Sequence, residues 1–261
     1  MSWQRFIENA QPGEHAVEIL GDADRPTEAL GRYVAAGLRS DAPAVVISRP
    51  ERWQSLLREL AARGWNPSAL QRERLLNHRN AEDALEEIMR DGSPDSGAFT
   101  RVIGGLLDEV ATLFPGKTIR AFGEMVDILW ARGQEQAALA LEGLWNDLAR
   151  TRCFALLCSY RLDIFDLDVQ RVLPDILRAH SHAQPTTDAA RLAEAVDRAL
   201  TDVAGAHGAA RVYLDMAERM PATRLPRALA VLDWLSGTNR PLARRVLELA
   251  RSHYAVGRAA A

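Results

Sequence analysis

The sequence has few of the features that mark secreted or membrane proteins. It contains only two cysteines, Cys153 and Cys158, among 261 residues. Both lie in the apolar run CFALLCSY, where their odd spacing would place them on opposite faces of a strand, so we expect reduced thiols in a reducing compartment. The opening stretch has no basic segment followed by an apolar core, and no apolar run is long enough to span a membrane. We therefore expect a cytoplasmic protein without a membrane partner.

The sequence also lacks the motifs of several large enzyme classes. It has no Gly-x-Ser-x-Gly elbow, and no Gly-x-Gly-x-x-Gly follows a strand. The turn after the first predicted strand, GDADRPT, stands where a phosphate-binding loop would lie, but it has no Gly-Lys-Ser/Thr. Asp22 and Asp24 stand in this turn and would repel a phosphate. We therefore predict no catalytic residue, no cofactor and no hydrolysis of nucleotide triphosphates.

The overall charge favours neither nucleic acids nor membrane surfaces as partners. The formal net charge is -3 at pH 7, and the isoelectric point is about 6.1. Hydrophobic residues make up 48% and charged residues 26%, as in soluble proteins with a sizeable core. The length suits one large domain, or a medium domain with a small one.

Short apolar runs alternate with helical patterns over the first two thirds of the chain. Buried strands that alternate with helices favour a doubly wound α/β domain with a mainly parallel sheet. We place this domain at residues 10–183 and a helical C-terminal extension at residues 186–261, with a polar linker at 179–188 between them. The extension reads as four short helices, although 211–216 also fits a last strand. The predicted strands lie at 16–20, 43–48, 73–78, 117–123 and 153–160.

In such a sheet, ligands bind where the strands end at their carboxyl side. The polar residues that follow or flank the predicted strands are therefore the candidate ligand-binding residues: His15, Asp22, Arg25, Glu124 and Tyr160. Glu124, in the stretch IRAFGEMVDILWARG, has three interpretations. It is a general base for a water molecule, a hydrogen-bonding residue for a ligand, or an acidic residue that favours the positive start of the next helix.

Two further clusters have a functional and a structural interpretation. His180 and His182 resemble a pair of metal ligands, but a metal needs a third ligand and neither cysteine is obviously near in the sequence, so we predict no metal site and a solvated helix end. Cys158 is expected to be a small buried hydrophobe. The Arg-rich last helix, RPLARRVLELARSH, faintly resembles a helix-turn-helix reader of DNA, but most such stripes are solvated faces, and we expect no nucleic acid partner.

Three segments resemble the MEDS domain, the sensory domain of methanogen and methylotroph regulators of the DcmR type. They contain GEHAVEIL, the stretch that ends in IRAFGEM, and LEGLWNDL with FALLCSY. The resemblance covers roughly residues 10–183. It implies a fold of the RecA/KaiC type, with a phosphate loop that has degenerated. It also places Glu124 near the acidic residues that serve metal and water in the active relatives, and it implies a role in sensing.

The residues and the resemblance together predict a non-catalytic sensory or signal-transduction protein. A small ligand of unknown identity would bind at the strand ends, and the helical extension would relay the signal to a protein partner or form a homo-oligomer. The alternatives are a KaiC-like ATPase with an atypical nucleotide loop, a DNA-binding regulator that uses the last helix, and a scaffold without a ligand.

Overall fold

The computed structural model describes residues 3–21, 27–184, 188–219 and 226–259. The chain divides into two compact units. The first contains the described parts of Met1–Ile19, Ala23–Arg161 and Ala179–Ala183. The second contains the described parts of Leu20–Asp22, Leu162–Arg178 and Gln184–Ala261.

The first unit is an α/β structure in which strands alternate with helices, as the sequence pattern predicts. Its main strands are β1 (His15–Leu20), β2 (Ala44–Ser48), β3 (Leu76–Asn80), β6 (Ile119–Gly123) and β7 (Phe154–Arg161), with β8 (His182–Gln184) as a short addition; β4 (Met89–Arg90) and β5 (Ser93–Pro94) form a separate hairpin. Its helices are α1 (Trp3–Asn9), α2 (Glu28–Leu38), α3 (Pro50–Ala62), α4 (Pro67–Arg72), α5 (Ala81–Ile88), α6 (Ser96–Phe99), α7 (Gly105–Leu113), α8 (Met125–Ala131) and α9 (Glu135–Ala149).

The main sheet has six strands in the order β3-β2-β6-β7-β1-β8. β2 pairs in parallel with β3 and with β6, and β6 pairs in parallel with β7. The register opposes Ile47 to Gly123 and Gly123 to Cys158, so three strands end near one another. This arrangement brings the residues that follow β2, β6 and β7 to one edge of the sheet, which is where the sequence predicts a ligand site.

The core of the first unit forms because the strands are apolar on both faces. All residues of β1, β2 and β6 are buried, as expected for strands covered on both sides. A large cluster packs α1, α2 and α3 onto β2 and β7 through side chains such as Phe6, Tyr33, Leu56 and Leu157. The Tyr33 hydroxyl, fully buried, donates to the carbonyl of Ala155 at 2.8 Å, which satisfies its polar atom.

Several local predictions need correction. The third strand is Leu76–Asn80 and not 73–78, because residues 67–72 form a short helix capped by the Asn66 side chain. The turn-rich stretch DGSPDSG (91–97) favours a loop, but it contains β5, which forms a hairpin with the preceding β4. The helical pattern AFTRVIGGLLDEVATLFPG that follows is interrupted by a π-helical turn at Thr100–Gly104. The polar segment predicted as a linker contributes β8 to the sheet, so its first part is structured.

The second unit is helical over the residues described. It contains α10 (Val169–Arg178), α11 (Ala189–Arg219), α12 (Arg227–Thr238) and α13 (Arg240–Ala259). The alternative strand at 211–216 is wrong, since these residues lie within α11. Gly205, with φ of +70°, interrupts α11 in a conformation that suits glycine. No helix among the described residues is long and apolar enough to cross a membrane.

Candidate functional site

A crevice lies in the first unit, at the carboxyl ends of the central strands. Its volume is about 440 Å³, which is within the range of small-molecule sites. It is lined by residues that follow β2 and β6, by the last residue of β7 and by residues of the neighbouring helices: Thr27, Arg49, Glu51, Arg52, Ser55, Glu124, Asp127, Ala131 and Arg161. Residues at the ends of three strands thus meet around one cavity.

Glu124 lies at the base of this crevice and is only 2% exposed. Its Oε1 accepts hydrogen bonds from Nη1 of Arg49 at 2.9 Å and from Nε and Nη2 of Arg52 at 3.0 and 2.9 Å. Its Oε2 accepts from the backbone N–H of Arg49 at 2.9 Å. Glu124 precedes α8, but its side chain makes no capping hydrogen bond. The carboxylate therefore holds two guanidinium groups in place and does not cap the helix.

Asp127 continues this network one turn further along α8. Its Oδ2 accepts from Nη1 of Arg49 at 2.9 Å, and its Oδ1 accepts from the backbone N–H of Arg161 at 2.7 Å. Asp127 is buried, whereas the side chain of Arg161 is exposed. The two carboxylates thus fix the start of the segment after β2 and the end of β7, because each accepts a backbone N–H from one of them.

The crevice wall carries balanced charge. Its lining has three arginines, Arg49, Arg52 and Arg161, and three acids, Glu51, Glu124 and Asp127. Burial acts to lower the pKa of Arg49, but the hydrogen bond and charge of Asp127 and Glu124 raise it overall, so this guanidinium stays charged. The Arg49 side chain is 29% exposed while that of Arg52 is 6% exposed. Arg49 and Arg161 are therefore the cations that a molecule in the crevice would meet first.

The structure separates the five predicted ligand residues. Glu124 lies in the crevice. Asp22 and Arg25 lie outside the described residues. His15 and Tyr160 lie in the interior, in a polar cluster around Glu142 of α9.

The interior cluster is built from buried side chains of β1, α9, β7 and the segment before β8. The Tyr160 hydroxyl donates to Oε1 of Glu142 at 2.8 Å, and Nε2 of His15 lies 3.3 Å from Oε2 of the same carboxylate. Nε2 of His180 lies 3.4 Å from Oε1 of Glu142. Sγ of Cys158 lies 3.2 Å from Nε2 of His15. All five residues are at most 6% exposed.

Burial and mutual charge shift the pKa values in this cluster. Burial, with the neighbouring His180, lowers the pKa of His15 to about 3. Burial acts to raise the pKa of Glu142, but His180 and His15 lower it overall. Burial and the Glu142 charge raise the pKa of the Cys158 thiol. His15 is therefore neutral and Cys158 is a thiol when the cluster stands alone at neutral pH.

The solvated helix end expected for His180 and His182 is wrong, since both residues are buried. His182 packs its ring 5.3 Å from that of Phe6. Cys158, which is not obviously near this pair in the sequence, joins His180 in the Glu142 cluster. Cys153, by contrast, is exposed.

Sequence reasoning missed Glu142, Asp127 and Arg52. Glu142 follows Ala138 by four residues and precedes Trp145 by three, so it lies on the apolar face of α9. Glu142 could have been identified as a lone carboxylate on an apolar helix face, since a buried charge needs partners. Arg52 and Asp127 lie in the first turns of helices, where nothing in the sequence distinguishes them from solvated residues.

Comparison with known families agrees with this architecture. Residues 14–181 match the family described as MEDS, the methanogen/methylotroph DcmR sensory domain. The match covers more than half of the chain, and the chain belongs to this family. Its α/β unit is thus a domain of a sensory class. Searches of curated proteins and of solved structures found no match.

Proposed function

We propose that the protein is a non-catalytic cytoplasmic sensor that binds a small polar ligand in the crevice between Arg49, Glu124 and Arg161. The observation that carries this proposal is a cavity of about 440 Å³ at whose base the carboxylate of Glu124 pairs with the guanidinium groups of Arg49 and Arg52. The network holds partly exposed guanidinium groups at the strand ends. Membership of a sensory family supports a role in detection.

The pairing of Glu124 argues against a role as a general base. Both of its oxygens accept hydrogen bonds from arginine donors, and Arg49 and Arg52 hold a positive charge beside it. These four hydrogen bonds already occupy the carboxylate and leave it less able to hold a water molecule in place. Glu124 therefore serves as a positioning residue for Arg49 and Arg52.

We propose a kinship of fold with RecA/KaiC-type ATPases that have lost their phosphate loop. It is supported by an acidic residue at the carboxyl end of the central strand β6, between β2 and β7, where the resemblance places one. The turn at 21–27 has no Gly-Lys-Ser/Thr to hold phosphate and magnesium, and Arg25 and Thr27 are weak substitutes. The proposed kinship is one of fold and not of hydrolysis.

The signal would pass along the chain from the crevice to the helical unit. Arg161 lines the crevice, and the next residue, Leu162, starts a segment of the second unit. A ligand that contacts Arg161 would favour one conformation of this segment by its differential affinity for the two states. The helical unit would then contact a signalling partner or a second copy of the chain.

Ligand binding is tested by a thermal-shift panel on the full chain, with inorganic phosphate, short carboxylates, amino acids, and ATP or ADP with Mg²⁺. We expect one chemical class to raise the melting temperature with a dose dependence that follows mass action. Titration calorimetry of that compound should then give a stoichiometry of one per chain.

Variants of the lining arginines test where the compound binds. Arg49→Ala and Arg161→Ala should each weaken binding about tenfold or more, since a hydrogen bond to a charged group is worth about 1.5–3 kcal/mol. Arg150→Ala is the control, because Arg150 is exposed and pairs with Asp147 outside the lining. Binding that survives both lining variants would refute the crevice. Turnover of ATP would favour the atypical ATPase instead.

A further inference from the structure

Four side chains of metal-binding types converge in the interior of the first unit. They are His15 at the start of β1, Glu142 on α9, Cys158 in β7 and His180 before β8. One nitrogen, oxygen or sulfur atom from each lies within 4.8 Å of all the others. These four residues, called the interior cluster core, come from four separate chain segments, so their convergence is a product of the fold.

The spacing of these atoms suits a tetrahedral metal ion. Zinc binds nitrogen and oxygen at about 2.0–2.2 Å and sulfur at about 2.3 Å, which places neighbouring ligand atoms roughly 3.3–3.7 Å apart. His15 Nε2 lies 3.3 Å from Glu142 Oε2 and 3.2 Å from Cys158 Sγ. Cys158 Sγ lies 3.8 Å from Glu142 Oε2, and His180 Nε2 lies 3.4 Å from Glu142 Oε1. These separations, 3.2–3.8 Å, are close to the edge lengths of such a polyhedron; three join His15, Cys158 and Oε2 of Glu142, and the fourth joins His180 to the other oxygen of Glu142.

The His15 ring is oriented by a hydrogen bond of the kind that supports metal ligands. Nδ2 of Asn146 donates to the carbonyl of Ala179 at 3.0 Å, which turns its Oδ1 toward His15. Nδ1 of His15 lies 3.0 Å from this Oδ1 and therefore carries the proton. Nε2 then presents its lone pair to the carboxylate of Glu142 and to Cys158. Metal-bound histidines are held in this way by their second nitrogen.

Electron-rich atoms that face one another in a buried site need a proton or a cation between them. A divalent ion meets this need: with Cys158 as thiolate and Glu142 as carboxylate, its two charges are balanced, and both histidines bind as neutral rings. The thiol proton passes to solvent when the ion binds. Tyr160, which donates to Glu142 Oε1 at 2.8 Å, adds a hydrogen bond to the carboxylate ligand.

We propose that His15, Glu142, Cys158 and His180 bind one divalent transition metal ion of the zinc type. The mixed nitrogen, oxygen and sulfur donors suit zinc or cobalt better than magnesium or calcium, which take oxygen ligands. The four protein ligands fill a tetrahedral site, and all four residues are at most 6% exposed. The site is therefore structural, since a catalytic zinc keeps one position open. It does not depend on ligand binding in the crevice.

The test is metal analysis and cobalt titration of the full chain. The chain is expressed with zinc and purified without chelator, and its metal content should be one zinc per chain by mass spectrometry. The chain refolded with Co²⁺ should show thiolate-to-cobalt charge-transfer absorption and the intense visible bands of a tetrahedral site.

Matched cysteine variants assign these signals. Cys158→Ser should abolish the charge-transfer band, whereas Cys153→Ser, which changes the exposed cysteine, should retain it. Glu142→Gln should reduce the affinity for cobalt at least tenfold. If another variant fails to refold, the charge-transfer bands of the wild type and of Cys153→Ser are sufficient to test whether Cys158 binds the metal.

Two results would overturn the proposal. One is a wild-type chain that folds without stoichiometric metal and gives no charge-transfer band with Co²⁺, which would make the cluster a hydrogen-bonded core only. The other is a band that disappears in Cys153→Ser and persists in Cys158→Ser, which would place the metal at the surface.

Discussion

Replacement of Glu124 by glutamine should destabilise the first unit strongly, because it removes the carboxylate that Arg49 and Arg52 share. Arg49 keeps Asp127 at 2.9 Å, but the side chain of Arg52 is only 6% exposed and loses its charged partner. The new amide nitrogen must also face either the Arg52 donors or the backbone N–H of Arg49. Breaking a buried ion pair from one side costs about 3–5 kcal/mol. Arg52 also packs on the ring of Phe122, and this contact is kept in the variant. We therefore expect a loss at the lower end of this range, about 3 kcal/mol in the free energy of unfolding.

The assay is urea unfolding followed by tryptophan fluorescence, since five of the six tryptophans belong to the first unit. Glu51→Gln is the matched control, because Glu51 lines the same crevice but is exposed; it should change the free energy by less than about 0.5 kcal/mol. In a double-mutant cycle with Arg52→Met, Glu124→Gln should show a coupling above about 1 kcal/mol. Equal effects of Glu124→Gln and Glu51→Gln would refute the network.

Further predictions concern packing and pH. Gly37→Ala should destabilise by about 1–3 kcal/mol in chemical denaturation, because its new Cβ would lie 2.6 Å from Cγ of the buried Arg120. Gly31→Ala in the same helix would place its Cβ 2.4 Å from Cγ of Glu59, and it should destabilise by less than Gly37→Ala, because Glu59 is partly exposed and can turn away. Burial lowers the pKa of His78 below 6.5, against the opposing effect of the hydrogen bond that the ring donates to the Ser48 carbonyl. Folding thus favours the neutral ring. The contribution of His78 to the free energy of unfolding is therefore present above pH 6.5 and is lost as the pH falls through the pKa of the folded state. His78→Phe keeps the stacking on Trp53 and should lose less stability between pH 7 and pH 5 than the wild type, measured by denaturant midpoints; an equal loss would contradict the assignment.

The alternation of apolar runs and helical patterns was sufficient to predict the α/β class, and it pointed to the strand ends, where the structure has a crevice. Continuous apolar strands such as AVVIS and FALLC can be buried only in a sheet covered on both faces. The hairpin at 89–94 and β8 could not be predicted, because two- and three-residue strands depend on pairing partners that the local sequence does not reveal. The π-helical turn at 100–104 likewise has no local signal.

The candidate site was only partly predictable, and the reason differs between its two regions. Glu124 could be found because it follows a buried strand, where the fold places ligands. Its partner Arg52 lies on a helix and acquires its role only through tertiary packing. The interior cluster core joins His15, Glu142, Cys158 and His180 across up to 165 positions, a proximity that no sequence spacing reveals.

The most direct test of the sensor proposal is hydrogen–deuterium exchange on the full chain, with and without the compound that binds in the thermal-shift panel. We predict slower exchange at 49–55 and 124–131, around the crevice, together with altered exchange in the helices at 189–219 and 227–259. Protection at the crevice with unchanged exchange in both helical segments would contradict the relay. Unchanged exchange at the crevice itself, for a compound that binds, would contradict the site.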